Sequence, residues 1–248
     1  MGHSTNLLGS YSTYNMRKTI GLFVHEPECS QDCSNGIFIA LSSHYNFRVF
    51  TIHDNLDLVL SEIDLIAFPG GIGDSDKYYE LFHRRQANKI ADWITRGGKY
   101  LGICMGAYWA GNHYFDILEN IECVQYIKEK DAEVKRPYGT TARVTWNHQE
   151  ERMFFYDGTT FQGNLGTCDI VARYNTGHPM AIIQGNIGLI GCHPESLPKW
   201  YTEDYPYLKE DYHNGKHHEL LLDFVDQLMY NTEYDTTNQP MAKHIHSF

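Results

Sequence analysis

Two short segments, far apart in the chain, carry residue types that serve nucleophilic catalysis by a thiol. In Gly102-Ile-Cys104-Met-Gly106 a cysteine stands between glycines, after an apolar run and before a predicted helix. This is the pattern of a nucleophile elbow, whose strained turn needs small residues two positions from the nucleophile. The helix start favours the thiolate, and the Met105 N–H would face a developing oxyanion. A buried structural cysteine beside a glycine turn is the alternative.

The second segment, Gly191-Cys-His193-Pro-Glu195, offers a base and a carboxylate. A catalytic histidine needs a third group to fix its tautomer, and Glu195 lies on the same side of an extended chain as His193. Alone, the segment is also typical of a loop histidine beside a solvated glutamate. Strand ends of an open α/β sheet meet at one edge, however, so the two segments together predict a triad of Cys104, His193 and Glu195.

A third segment, residues 68–74, also leaves the end of an apolar run and contains Gly70 and Gly71. Such a glycine pair lets backbone N–H groups approach a ligand and would provide a second oxyanion donor. The alternative interpretation is a tight turn.

These segments are positioned by an alternation of apolar runs and amphipathic stretches, which predicts a doubly wound α/β fold with a mostly parallel sheet. Strands are predicted over residues 19–24, 47–52, 65–68 and 99–103, helices over residues 36–44, 79–96 and 104–112, and a short helix or turn over residues 56–62. In the second half we predict strands over residues 143–146, 152–156, 170–174, 180–184 and 187–192, the last two as a hairpin, and a helix over residues 219–230. Residues 1–16 and 231–248 are polar and predicted to be tails around one domain, residues 17–230.

Composition excludes several classes of function. Of the 248 residues, 31 are acidic and 20 basic, and the net charge of −11 argues against a nucleic-acid partner. The sequence has no run of 18 apolar residues, so no membrane span is predicted, and the amino terminus lacks the pattern of a signal peptide. Six cysteines are an ordinary number for this length, and without an export signal the chain is expected to be cytoplasmic, with free thiols rather than a disulfide framework.

Other chemically capable residues give weaker signals. His25, Cys29 and Cys33 lack the usual metal-binding pairing, so we predict no metal site there; their loop could instead border the active cleft. The histidines at 213, 217 and 218 are expected to be solvated, and the aromatic residues of 200–207 to pack the sheet edge or wall the cleft. No phosphate-binding glycine motif occurs, and we expect no cofactor.

The three segments together resemble the class I glutamine-amidotransferase-like superfamily. Within it, Arg136-Pro-Tyr-Gly139, residues 171–174 and residues 188–195 also fit the amidotransferase-like domain at the amino terminus of eukaryotic biotin–protein ligases. This resemblance implies a flavodoxin-like three-layer sandwich with some antiparallel strands in its carboxyl-terminal half. It also implies that Cys104 attacks an amide to form a thioester, and that His193 acts as base and then acid. Glu195 would orient His193, and the N–H groups of Gly71 and Met105 would hold the oxyanion.

One position departs from the pattern. Glutaminases of the superfamily commonly carry a substrate-binding Gln four residues after the nucleophile, where this chain has Tyr108. This weakens glutamine as the substrate but not acyl chemistry in general. No synthetase or biotin ligase domain follows in the sequence, so an amidotransferase would need a separate acceptor chain. The leading hypothesis is a cysteine-dependent amide hydrolase or amidotransferase; the alternative is a non-catalytic binding or regulatory module with the same fold.

Overall fold

The computed structural model describes residues 17–25, 29–71 and 74–230. The strands are β1 (Thr19–Phe23), β2 (Asn46–Phe50), β3 (Leu65–Phe68), β4 (Lys99–Ile103), β5 (Ile121–Gln125), β6 (Thr140–Trp146), β7 (Gln149–Phe155), β8 (Thr159–Gly163), β9 (Asp169–Tyr174), β10 (Pro179–Gln184) and β11 (Ile187–Ile190). The α-helices are α1 (Gln31–Leu41), α2 (Leu56–Glu62), α3 (Tyr78–Leu81), α4 (Arg84–Thr95), α5 (Met105–Trp109) and α6 (Lys216–Tyr230). Short 3₁₀ or π segments cover Ser75–Lys77, Tyr126–Lys128, Leu165–Thr167, Trp200–Asp204 and Pro206–Asp211.

Nine strands form one sheet in the order β2-β1-β3-β4-β11-β10-β9-β6-β7, while β5 and β8 pair separately. From β2 to β11 all neighbours are parallel, and from β11 to β7 all are antiparallel. The parallel part therefore has the predicted α/β organisation, and β10–β11 is the predicted hairpin. The important pair for the site is β4 and β11, which are parallel neighbours, so the chain leaves both at the same edge.

Alternation along the central strands divides the core between the two faces of the sheet. On β3, Leu65 and Ala67 join the cluster that contains Ile37 of α1 and Phe224 of α6. Ile66 and Phe68 face the other way, into the cluster that α2 and α4 complete. Every side chain of β3 is buried, as expected for a strand covered on both faces. The sheet thus lies between two helical layers, which confirms the flavodoxin-like class of fold.

Several boundaries differ from the sequence-based prediction. Helix α1 begins at Gln31 rather than at residue 36, because the Ser30 side chain caps it and accepts a hydrogen bond from the Cys33 N–H. The stretch predicted as one helix over residues 79–96 is two, α3 and α4, since Phe82 is extended and the Gln86 side chain accepts from the His83 N–H. Strands β5 and β8 were not predicted. The two predicted tails lie outside the described residues.

No helix within the described ranges combines the length and the apolar character needed to cross a membrane.

The turn between β4 and α5 is closely packed through its glycines. A Cβ added to Gly102 would lie 2.4 Å from the Gly106 carbonyl oxygen, and one added to Gly106 would lie 2.1 Å from the Phe68 carbonyl oxygen. Both contacts are to backbone, which cannot move aside as a side-chain end can. The structure therefore gives a steric reason for glycine on both sides of Cys104.

We expect Gly106→Ala to lower the free energy of unfolding by about 3 kcal/mol, the upper end of the usual cost of overpacking. Gly166→Ala is the matched control, because its added Cβ would meet only the Asn164 side chain, at 3.4 Å; it should change stability by less than about 0.5 kcal/mol. Denaturant unfolding of both variants measures the difference. Equal stability of the two would contradict the packing described for the turn.

Candidate active site

Cys104 occupies a strained position at the end of β4. Its φ of 50° and ψ of −104° lie in a region that residues other than glycine rarely adopt. The backbone is held there because the Cys104 N–H donates to the Ile190 carbonyl at 2.9 Å. The side chain is buried, and its sulfur lies 3.6 Å from the Tyr156 carbonyl oxygen. This is the backbone geometry of a nucleophile elbow.

His193 and Glu195 form a buried hydrogen-bonded pair just beyond β11. His193 Nδ1 lies 2.8 Å from Glu195 Oε1, and the two residues are 4% and 0% exposed. Since a carboxylate accepts, the Nδ1–H of the ring donates to it, and Nε2 is left to exchange a proton with another group. The pair thus has the arrangement of an oriented catalytic base.

Two opposing effects set the pKa of His193. Burial favours the neutral ring, but the charge of Glu195 and the hydrogen bonds and charges of Cys104 and Cys33 outweigh burial. The pKa of His193 is therefore raised well above its ordinary value. The Cys104 thiol is thus among the groups that act on this imidazole, and a catalytic triad of Cys104, His193 and Glu195 stays a prediction.

Sequence reasoning did not identify Cys33 as a residue of this cluster. Its sulfur lies 3.9 Å from His193 Nδ1, and burial raises the pKa of its thiol despite the favourable histidine. Cys33 reaches the site because α1 begins early, in a segment interpreted from sequence as loop. Ser30, three residues earlier, is the available signal, since serine is a preferred N-cap.

Glycines let the surrounding chain approach the histidine and the carboxylate. At Gly70 a Cβ would lie 2.6 Å from His193 Cε1 and 3.0 Å from the Cys33 sulfur. At Gly36 of α1 a Cβ would lie 2.2 Å from the Glu195 carbonyl oxygen. Gly70 therefore has a steric role against the imidazole, and α1 packs directly on Glu195.

A cavity of about 290 Å³ opens onto this cluster. It reaches His193 and Cys33, but Cys104 is not part of its walls. Tyr156, whose carbonyl oxygen lies 3.6 Å from the Cys104 sulfur, is one of the wall residues. The remaining wall residues combine aromatic rings, two carboxylates and small polar groups: Phe154, Trp200, Tyr205, Asp32, Asp204, Ser30 and Gly71. Of the aromatic residues of 200–207, Trp200 and Tyr205 thus wall the cleft.

Of the predicted substrate-binding residues, some line the cavity and others do not. Gly71 lines the cavity and forms an isolated bridge with Cys29. Met105 is the first residue of α5, so its N–H has no acceptor within that helix. The Tyr108 hydroxyl donates to the carbonyls of Asp157 and Gly158, at 3.2 and 3.3 Å, and it is not part of the cavity wall. Roles for these residues and for Gly70 in binding stay predictions.

The expectation of solvated histidines near α6 is wrong for His217, which is 1% exposed. Its ring stacks on His213 with centroids 4.3 Å apart, and burial lowers the pKa of His213 to about 3 and that of His217 to about 4. His213 Nε2 and His218 Nε2 each lie 3.1 Å from the Ser196 carbonyl oxygen. Helix α6 starts at Lys216, earlier than predicted. Two of the histidines therefore contact Ser196, the residue that follows Glu195.

Part of the chain matches a known family of proteins. Residues 26–125 match the family model described as "Biotin-protein ligase, N terminal". This chain resembles that family over the matched residues. The match includes Cys104 and the Gly70–Gly71 pair and ends before His193 and Glu195. A search of curated proteins found no match.

Solved structures support the wider resemblance at the level of fold. A glutamine amidotransferase from Thermotoga maritima superposes with a TM-score of 0.59 at 14% identity, covering 86% of this chain and 99% of that one. A glutamine amido transferase from Methylobacillus flagellatus gives 0.55 at 12% identity, covering 94% and 99%. The resemblance to the class I glutamine-amidotransferase-like superfamily is confirmed, and at these identities it establishes the fold alone.

We expect Glu195→Gln to lower the pKa of His193, since burial then acts without the opposing carboxylate. In the wild type, the raised pKa of His193 stabilises the folded state. This stabilisation is fully present below the pKa of histidine in the unfolded state, about 6.5, and is lost as the pH rises through the pKa of His193 in the folded state. The unfolding free energy should thus fall by up to about 1.4 kcal/mol per pH unit above pH 6.5. In Glu195→Gln this dependence should be largely absent.

Denaturant unfolding from pH 6 to 9, with an NMR titration of the His193 ring, measures both effects. Glu122→Gln, an exposed position on β5, is the control and should keep the wild-type dependence. An unchanged titration of His193 in Glu195→Gln would contradict the assigned pairing.

Proposed function

We propose that this protein is a cysteine-dependent amide hydrolase of the glutamine-amidotransferase type that acts through a thioester. The observation that carries the proposal is the buried His193–Glu195 hydrogen bond beside a cysteine in a strained strand-to-helix turn. Structural cysteines do not require a positive φ, and the strain is explained if the thiol must face the imidazole.

The proposed reaction has two stages. In the first, the Cys104 sulfur attacks the amide carbon, the C–N bond breaks, and ammonia leaves with a proton from His193. In the second, His193 removes a proton from water, which attacks the thioester; the C–S bond breaks, and the acid and the free thiol are released. Glu195 holds the ring in one orientation throughout.

Negative charge develops on the carbonyl oxygen in both stages. The N–H groups of Met105 and Gly71 are the proposed donors to it. Met105 supplies an N–H that its own helix leaves without a partner, and Gly71 reaches the cavity wall beside His193.

The cavity wall favours an amide substrate with an aromatic or positively charged remainder. Phe154, Trp200 and Tyr205 provide apolar and cation-binding faces. Asp204 supplies negative charge, whereas the charge of Asp32 is paired with Lys199 at 2.6 Å. None of the described residues that line the cavity is a lysine or an arginine, so the α-carboxylate of glutamine would lack an ionic partner there.

We further propose a reducing, cytoplasmic setting, supported by the six cysteines, which are all described and form no disulfide. Where ammonia is used rather than released, a separate synthetase chain would be the acceptor.

A binding module without turnover is the second candidate. The observation that favours it is that Cys104 is buried and is not among the residues of the cavity wall. In that interpretation the cavity binds the same class of ligand, and the strained cysteine contacts no substrate.

Ammonia release from a set of primary amides tests the proposal. We expect phenylalaninamide, which is aromatic, cationic and free of carboxylate, to exceed glutamine in kcat/KM by about tenfold or more, the value of one favourable charged contact. Cys104→Ala should reduce release to background, while Cys168→Ala, at a half-buried cysteine whose sulfur contacts the Leu165 carbonyl, should retain it. Absence of release from every amide would favour the binding module, and equal release by Cys104→Ala would refute the assigned nucleophile.

A further inference from the structure

We propose that Cys33, His193 and Glu195 form an inhibitory Zn²⁺ site that uses the imidazole and the carboxylate of the triad. One potential ligand atom from each residue lies within 4.8 Å of the other two, and all three residues are buried. Sulfur, imidazole nitrogen and carboxylate oxygen are the ligands that zinc takes in proteins. The three residues are separated by up to 162 positions in sequence, so ligand spacing along the chain gives no sign of the site.

The distances suit a tetrahedral ion after a small adjustment. Zn–S and Zn–N bonds of about 2.3 and 2.1 Å place sulfur and nitrogen roughly 3.6 Å apart in a tetrahedral site. The Cys33 sulfur and His193 Nδ1 are 3.9 Å apart. The Nδ1–Oε1 separation of 2.8 Å is shorter than such a site needs, but Glu195 Oε2 is buried without a hydrogen-bond partner and can turn toward an ion.

The charge of the ligand set is compatible with zinc. With Cys33 as thiolate, Glu195 ionised and His193 neutral, the ligands carry two negative charges, which Zn²⁺ balances. A buried site of zero net charge avoids the cost of an unpaired buried ion.

The cavity gives the ion a route and a fourth ligand. Cys33 and His193 both line it, as do the acidic residues Asp32 and Asp204. Three protein ligands with a water from the cavity complete the usual coordination of four.

Zinc binding and amide hydrolysis would exclude each other. An ion on His193 Nδ1 replaces the hydrogen bond to Glu195, so the base loses the group that orients it. This consequence rests on the proposed function, whereas binding of the ion does not.

Titration calorimetry with Zn²⁺ alone, on the tag-free, reduced full chain, tests the binding. We expect the wild type to bind one ion tightly per chain. Cys33→Ala and Cys33→Ser should each lose affinity by about 100-fold or more, which exceeds the usual effect of losing an outer-shell partner. Cys168→Ala should bind zinc with unchanged affinity. The nearly isosteric Cys33→Ser controls for packing. With Co²⁺, the wild type should show a thiolate charge-transfer band that Cys33→Ser lacks. Wild-type affinity in both Cys33 variants, or no saturable binding by the wild type, would overturn the proposal.

Ammonia release then separates this inference from the proposed function. Zinc should inhibit the wild type and a chelator should restore it, whereas the activity that remains in Cys33→Ser should be insensitive. If zinc binds through Cys33 but the protein hydrolyses no amide, the metal site is supported and the proposed enzymatic activity is refuted. Equal inhibition of wild type and Cys33→Ser would refute the metal site while the enzyme stands.

Discussion

The hydrogen bond between Glu195 and His193 is the interaction on which the rest of the site depends. A carboxylate with no exposed surface is costly unless a partner compensates its charge, and the imidazole is that partner. Glycines at 36 and 70 let helix α1 and the loop after β3 close over the pair. The buried pair in turn holds the ring next to the strained cysteine.

The order of the strands in the sheet determines this arrangement. Strands β4 and β11 are separated by more than 80 residues but are parallel neighbours, so Cys104 and His193 leave the same edge one strand apart. The antiparallel strands continue the sheet beyond β11, and the His193 N–H donates to the Phe154 carbonyl at the end of β7. The pairing of strands in the sheet thereby also fixes the relative positions of Cys104 and His193.

The sequence was sufficient to predict the parallel strands, the β10–β11 hairpin and the class of fold, because continuous apolar runs and glycine turns report local structure directly. It did not predict Cys33 beside His193, since that contact depends on where α1 begins and on a close approach at Gly70. His217 was missed for a similar reason: burial of a polar residue by distant elements leaves no local pattern. The short β5–β8 pair has no strong alternation and forms through tertiary contact.

The two proposals assign the thiols near one imidazole different chemistries, covalent catalysis to Cys104 and cation binding to Cys33. The most direct test of Cys104 as the nucleophile is to mix the protein rapidly with phenylalaninamide, quench the reaction in acid, where thioesters persist, and analyse the peptides by mass spectrometry. We expect a phenylalanyl adduct on the peptide that contains Cys104, removable by hydroxylamine and absent in Cys104→Ala. An adduct on Cys33 instead, or substrate turnover with no adduct at any time in wild type and in Glu195→Gln, would contradict this assignment.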